Sequence, residues 1–197
     1  MIDYFIANPR YILLIFALLI VTIFLCFEAA RSSIKRGREN QKILDRLNKE
    51  KELIEKYKAF ERGENPQVCD ENLVRGKALL IQSRVSNASD INAFFDSLCR
   101  EDKILYALEC FLEDYNGSLS SFFKLNTQPL TPLCKEFFEK YYENKKVSEI
   151  YNRLYCIFDE NNEEISFEKS EVEGLDEEFA EVFKLQELFL SARKYLI

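Results

Sequence analysis

Residues 106–123 read YALECFLEDYNGSLSSFF, and their pattern predicts two helices joined by a turn. Leu108, Phe111 and Tyr115 recur at three- and four-residue spacing, which places them on one helix face. Asn116-Gly117 ends this helix, because both residue types tolerate the backbone of a tight turn. The aromatic residues that follow predict a second, short helix.

The same periodicity extends over most of the chain beyond Pro66. It predicts helices over residues 73–85, after a cap at Ser89, over 104–115 and 119–125, from Thr131-Pro132 onward, and over 147–158 and 175–195. Only residues 164–168 alternate as a strand would. We therefore predict an all-α fold, with a compact multi-helix domain over residues 67–197.

An apolar run near the start of the chain predicts a transmembrane helix. Residues 11–27 are seventeen positions without a charged side chain. As a helix they would rise about 25 Å, and neighbouring apolar residues extend the segment toward the roughly 30 Å of a hydrocarbon core. A signal peptide fits less well, because residues 1–9 carry no basic side chain. We predict a short external N-terminus over residues 1–10 and an uncleaved transmembrane helix over 11–30.

The charges that flank this run predict its orientation. One basic residue precedes the run, whereas the membrane-flanking cations that follow it include Arg31, Lys35, Arg36 and Arg38. Because basic residues favour the cytoplasmic side, we expect a single-pass membrane protein with its N-terminus outside and its C-terminal domain in the cytoplasm. The lipid bilayer is then an expected partner, and the cluster of cations also suits contact with anionic headgroups.

Residues 31–62 predict a charged helical stalk. The apolar positions of an a/d stripe in this segment are Ile43, Leu47, Ile54 and Tyr57. Asn40 and Glu50 are polar breaks in this stripe, and a homodimer through a coiled coil is an alternative to a single helix. Gly63 and Pro66 then break the pattern and mark the boundary to the domain.

The composition excludes most familiar catalytic chemistries. The chain has no His, so it has neither a histidine-activated nucleophile nor a His-bearing zinc site. Its five Gly are too dispersed for a phosphate-binding loop, and its six Cys include no CxxC pair. We interpret most of the cysteines as small, reduced core residues, with Cys110 and Cys156 as examples. We expect no enzyme, no catalytic, cofactor-binding or metal-binding residues, and no cofactor.

Two carboxylate patterns resemble functional sites, but neither has all the residues that such a site needs. Glu109 and Glu113 lie one helical turn apart, as an acid/base pair can, yet nothing nearby supplies a nucleophile, and we interpret them as solvated surface. Residues 159–163 begin with the spacing of a calcium-binding loop. Glu164 then stands where the loop needs Gly, and Ser170 where it needs a bidentate Glu.

Several of these stretches resemble one family. Residues 106–123, the helix start at Thr131-Pro132 and the sequence LDEEF at 175–179 are similar to a helical bacterial domain named after a DNA-mimic protein, of its C-terminal domain type. The resemblance spans about residues 90–196, and the Asn-Gly-Gly-Phe of the family is NGSL at 116–119 here. It implies an all-helical fold, no known catalysis and, in some members, an acidic surface that competes with DNA for proteins.

The acidity of the chain is concentrated in one segment. The 27 basic and 34 acidic residues give a net charge of −7, whereas residues 31–62 carry +5 and residues 63–197 carry −11. Twelve acidic side chains lie between residues 159 and 187. The candidate partner-binding residues among them are Asp159, Glu160, Glu163, Glu164, Glu171, Glu173, Asp176, Glu177, Glu178 and Glu181. A solvated helix start is the alternative, since acidic residues favour a helix N-terminus.

Together these patterns lead to one expected function and two alternatives. We expect a membrane-anchored, non-catalytic protein-interaction module whose acidic helical domain binds an unidentified, basic protein partner. A DNA-mimic-like inhibitor of a basic nucleic-acid-binding protein is the first alternative, and an enzyme that uses carboxylates is the second. We expect no direct contact with nucleic acid.

Overall fold

The computed structural model describes residues 9–64, 67–158 and 169–197. Within these ranges the chain is helical and forms no strand, which confirms the predicted all-α class. The helices are α1 Pro9–Glu61, α2 Asp70–Ser86, α3 Ile91–Ser97, α4 Arg100–Asp114, α5 Leu119–Leu125, α6 Leu130–Lys140, α7 Lys145–Ile157, α8 Lys169–Val182 and α9 Leu185–Leu196. The contacts divide the chain into two units, Met1–Lys49 (unit 1) and Glu50–Ile197 (unit 2).

The predicted transmembrane helix is wrong. No helix in the described part of the chain has both the length and the apolar character needed to cross a bilayer. The seventeen apolar residues at 11–27 lie within α1, which continues through charged residues to Glu61. A rise of about 25 Å falls short of a hydrocarbon core of about 30 Å.

The predictions that depended on the spanning helix are therefore also wrong. These are the single-pass localisation, with the N-terminus outside and the domain in the cytoplasm, and the membrane-flanking role of four cations, Arg31, Lys35, Arg36 and Arg38. In the structure these four residues are exposed members of α1 within unit 1. Their charge therefore needs an explanation other than topology.

Unit 1 exposes many apolar side chains. Large side chains of α1 that are more than half exposed are Leu18, Leu19, Ile20, Val21, Phe24, Leu25 and Phe27. Farther along α1, Ile43, Leu44 and Leu47 are also exposed. Contiguous exposed apolar surface is uncommon on folded domains and marks sites of interaction.

The last turns of α1 belong to unit 2 and pack on α2. Tyr57 is 5% exposed and lies with Val68 and Leu73 in a small apolar cluster, against which Phe60 and Leu80 pack. Tyr57 was assigned by its spacing to the seam of a stalk homodimer. Because its side chain is buried within one chain, the seam cannot extend to this position, and a homodimer remains a prediction for the turns before it.

A glycine allows α1 and α2 to approach closely. A methyl group placed on Gly76 of α2 would lie 2.5 Å from the backbone oxygen of Leu53 and 2.7 Å from Cβ of Tyr57. Both distances are shorter than van der Waals contact, and the first involves backbone that cannot rotate away. The packing of α2 on the end of α1 therefore requires a residue without a side chain.

Helix α4 is the centre of the main core in unit 2. It packs against α2, α6 and α9, while α7 packs between α6 and α8. Phe111 of α4 is fully buried, and aromatic rings of α5, α6 and α8 surround it. The predicted turn after α4 is confirmed: Asn116 and Gly117 have φ values of 35° and 83°.

Two helix starts differ from the prediction. Asp90, and not Ser89, caps α3, because the Asp90 carboxylate accepts a 3.0 Å hydrogen bond from the amide of Ala93. Helix α6 begins at Leu130, one residue before Thr131, whose side chain was expected to cap it. Thr131 is instead buried, and its carbonyl accepts a 2.9 Å hydrogen bond from the Tyr151 hydroxyl. At the start of α3, Ser89 and Asp90 are adjacent residues of similar capping ability, so the sequence alone does not distinguish them.

The Gly76 contact can be tested against a second helical glycine. Gly76→Ala should lower the free energy of unfolding by roughly 1–3 kcal/mol, because the added methyl group meets backbone. Gly174→Ala in α8 should raise it by about 0.5–1 kcal/mol, because Gly174 has open space around it and Ala favours a helix. Urea denaturation measures both. A Gly76→Ala protein as stable as the wild type would contradict the close approach.

Candidate functional site

The predicted acidic residues fall into two groups. Asp159, Glu160, Glu163 and Glu164 lie outside the described residues. The other six, Glu171, Glu173, Asp176, Glu177, Glu178 and Glu181, are all on α8. The opposite side of α8 carries Val172, Leu175 and Phe179, which are buried in the main core. This packing fixes which carboxylates of α8 face outward.

Three of these carboxylates form a line on the outer face of α8. Glu173, Glu177 and Glu181 are exposed and follow one another at four-residue spacing. This spacing corresponds to a rise of about 6 Å per step along a helix. Neither Glu177 nor Glu181 forms an ion pair with another described residue. We call Glu173, Glu177 and Glu181 the acidic line.

Two neighbouring carboxylates of α8 are paired with cations of α7. Glu178 lies 3.0 Å from the ammonium of Lys146, and Glu171 lies 3.9 Å from the guanidinium of Arg153. All four side chains are at least one-third exposed, so that water screens these pairs and each contributes little to stability. The cations nevertheless offset the negative charge of Glu178 and Glu171, whereas Glu177 and Glu181 have no such ion pair with a described residue.

Asp176 has a structural role that its sequence context does not reveal. One carboxylate oxygen accepts hydrogen bonds from the hydroxyls of Ser118 and Ser120, at 2.8 and 2.6 Å. The other oxygen accepts from the backbone amide of Ser120, at 2.8 Å. Asp176 therefore satisfies the N-terminal end of α5 from another helix, and its charge also suits the positive end of the α5 dipole.

The carboxylate of Glu109 is buried in unit 2. Glu109 of α4 is 1% exposed, so its interpretation as solvated surface is wrong. Its partner is Arg75 of α2, whose Nη2 donates to Oε1 at 2.8 Å and whose Nε donates to the same oxygen at 3.2 Å. Burial raises the pKa of the Glu109 carboxyl, and the Arg75 guanidinium opposes this shift without cancelling it. This pair ties α2 to α4.

The cysteines are less uniformly buried than their apolar surroundings suggest. Among those the structure describes in side-chain detail, Cys134 is fully buried and Cys110 is partly buried, whereas Cys69, Cys99 and Cys156 are exposed. Burial raises the pKa of the Cys110 thiol to about 12 and also raises that of Cys134. These two thiols therefore stay protonated and unreactive at neutral pH. The interpretation of Cys156 as a core residue is wrong.

Unit 2 also contains a groove of about 440 Å³ whose walls carry both polar and apolar side chains. It is lined by residues of α3, by Tyr106 of α4 and by the segment 125–130 that joins α5 to α6. Ile91 and Leu125 line it and are 52% and 70% exposed. A groove of this size is comparable to small-molecule pockets. Sequence reasoning missed it because its walls come from segments that are far apart in the chain.

The described residues contain no group of three or more Asp, Glu or Cys side chains arranged to hold a metal ion. Comparison with other proteins adds no assignment, since no protein-family model, curated protein or solved structure matches the chain. The resemblance to the domain named after a DNA-mimic protein therefore stays a prediction. The acidic line is the candidate functional site that the sequence and the geometry have in common.

The role of Asp176 predicts a difference between adjacent carboxylates. Asp176→Ala should lower the free energy of unfolding by about 1.5–3 kcal/mol, since it removes a charged acceptor from three donors. Glu177→Ala, at the next position, should change it by no more than about 0.5 kcal/mol. Chemical denaturation of both variants provides the comparison. Equal stabilities would show that Asp176 is surface charge like its neighbour.

The buried ion pair predicts a stability that depends on pH. Arg75→Met should cost about 3–5 kcal/mol at pH 7, because it leaves an unpaired carboxylate in the core, and Arg75→Met/Glu109→Met should recover most of this loss. The folded pKa of Glu109 lies above its unfolded value, so the folded state binds the proton more tightly.

In the single variant the penalty should therefore be largest above the folded pKa and should disappear as the pH falls toward the unfolded pKa of about 4.3. Urea denaturation of the single and double variants between pH 7 and pH 5 separates the contributions. A penalty in the single variant that is the same at both pH values would exclude Glu109 as its source.

Proposed function

We propose that unit 2 is a non-catalytic interaction module that binds a basic protein partner through the acidic line on α8. The observation that carries this proposal is the alignment of Glu173, Glu177 and Glu181 on the exposed face of a helix whose other face is anchored in the core. The helix backbone that carries these carboxylates is already ordered, so binding a cationic surface costs side-chain entropy but no backbone entropy on this side of the interface.

The charge of unit 2 supports the same proposal. Its 19 basic and 30 acidic residues give a net charge of −11. A field of this sign attracts a basic partner and accelerates its association, while the spacing of the acidic line contributes specificity. Because such contacts lie at the surface, binding should weaken as salt rises.

An inhibitor that imitates DNA is the second candidate. The acidic line supports it, since a protein that recognises phosphates also responds to carboxylates at fixed separations. The two candidates differ in whether the partner uses the same surface to bind DNA. A DNA-mimic target would be released from unit 2 by duplex DNA, whereas a basic partner that does not bind DNA would stay bound.

The enzyme alternative receives no support from the carboxylate pair that suggested it. Glu109 is buried and hydrogen-bonded to Arg75, and Glu113 is exposed one turn away. An acid/base pair needs both groups at one accessible site.

Charge reversal on α8 tests the acidic line. Glu177→Lys/Glu181→Lys should reduce the recovery of the specific partner in a pull-down from lysate by at least about tenfold, because like charges then face each other. The matched control is Glu139→Lys/Glu143→Lys, which makes the same change of charge at the same four-residue spacing on exposed residues near the end of α6.

The control should keep the partner, and circular dichroism should show both variants folded. The proposal fails if the α8 variant retains its partners or if both variants lose them equally. A parallel elution with duplex DNA distinguishes the two candidates, since displacement by DNA at constant ionic strength favours the mimic.

A further inference from the structure

The cations of unit 1 lie on one face of α1. The face comprises Arg31, Lys35, Arg38, Lys42, Arg46 and Lys49, and all six residues are exposed. Their spacings are all three or four residues, so at about 100° per residue they fall within an arc of roughly 80°. We call these six residues the basic face.

Other charges in the same segment fall outside the basic face. Arg36 lies roughly 120° from its centre, and Glu39 and Asp45 lie just beyond its two edges, at about 100° per residue. The basic face therefore presents six cations along about 27 Å of helix with no carboxylate between them. Such alignment is not needed for solubility, which depends on the number of charges and not on their sharing one face.

The opposite face of the same segment carries three large apolar side chains together with Arg36. Ile43, Leu44 and Leu47 are 57%, 53% and 45% exposed. Each lies more than about 100° from the centre of the basic face, at about 100° per residue. The cationic and apolar contacts of this segment therefore point in different directions.

We infer that the basic face binds the phosphate backbone of double-stranded nucleic acid. A row of cations over about 27 Å can neutralise several phosphates at once, and the release of their counterions supplies affinity without base recognition. The sources of this proposal are the exposure and alignment of the six cations. It concerns a different unit from the acidic line and does not depend on the partner proposed for unit 2.

An anionic lipid surface is the competing ligand, because cations on one face and apolar residues on another are also typical of helices that lie on membranes. A helix adsorbed on lipid buries its apolar face and directs its polar face away from the hydrocarbon. A flat surface contacted by the basic face would leave Ile43, Leu44 and Leu47 directed away from it. A phosphate backbone requires the cations alone, so the apolar face does not conflict with it.

This inference revises the expectation of no direct contact with nucleic acid. Unit 1 holds eight basic and four acidic residues, a net charge of +4, although the whole chain carries −7. The negative charge belongs to unit 2. The total charge of the chain therefore conceals a basic segment.

The test uses the full chain and a fluorescein-labelled 20-base-pair duplex, with binding measured by fluorescence anisotropy between 50 and 200 mM NaCl. The logarithm of the association constant should fall with the logarithm of the salt concentration, with a slope of about 0.9 per phosphate contact. Arg38→Gln/Lys42→Gln should reduce this slope by about 2 and weaken binding equally for duplexes of unrelated sequence.

The matched control removes the same charge from outside the basic face. Arg36→Gln/Lys51→Gln should leave the slope unchanged, since both residues lie on the far side of α1. Arg38→Lys/Lys42→Arg should bind as the wild type does, and circular dichroism should show that all variants keep their helix content. A loss of binding without a loss of helix content is then caused by the removal of the charges.

Four outcomes would overturn the proposal. These are the absence of duplex binding at 50 mM NaCl, an equal effect of the two double variants, competition by polyglutamate as effective as that by unlabelled duplex, and binding to phosphatidylserine vesicles with none to DNA. The first two reject the basic face as a nucleic-acid site. The third would indicate attraction to any polyanion, and the fourth would identify lipid as the ligand.

Discussion

The burial of Phe111 is the constraint on which the helical domain depends. Its ring lies 5.3–6.5 Å, centroid to centroid, from rings of α5, α6 and α8, and Phe183 after α8 also contacts it. Edge-to-face contacts of this kind add orientation to the apolar area they bury. Because Phe179 of α8 takes part, the same contacts that close the core also determine which side of α8 faces water. The position of the acidic line is thus a consequence of aromatic packing.

Spacing along the chain predicted the helices but not their neighbours. The periodicity around Phe111 identified a buried face, and Asn116-Gly117 identified its end, because both signals are local. Glu109 and Asp176 were misjudged or missed for the opposite reason. Each depends on a partner distant in sequence, Arg75 for one and the start of α5 for the other, and a polar residue on a helix does not reveal whether another helix will cover it.

The N-terminal helix illustrates a second limit of sequence reasoning. An uncharged run or a seam of apolar residues indicates an apolar contact, but it does not identify the other surface in that contact. Tyr57 belonged to an apparent coiled-coil seam, yet α2 of the same chain covers it. The run at 11–27 was read as a membrane span, and within the described residues no helix meets that requirement. Contact with another part of the same chain is an alternative to contact with an external partner, and only the structure distinguishes the two.

The close approach at Gly76 has a consequence for how this protein can change during evolution. A methyl group added at Gly76 would lie nearest to the backbone oxygen of Leu53. Every amino acid at position 53 has this oxygen. A larger residue at 76 therefore has no single compensating substitution, unlike a crowded pair of side chains, in which one can shrink as the other grows. Position 76 should stay glycine in descendants that keep the crossing of α1 and α2, and lineages that lose the glycine should show rearranged packing between these helices.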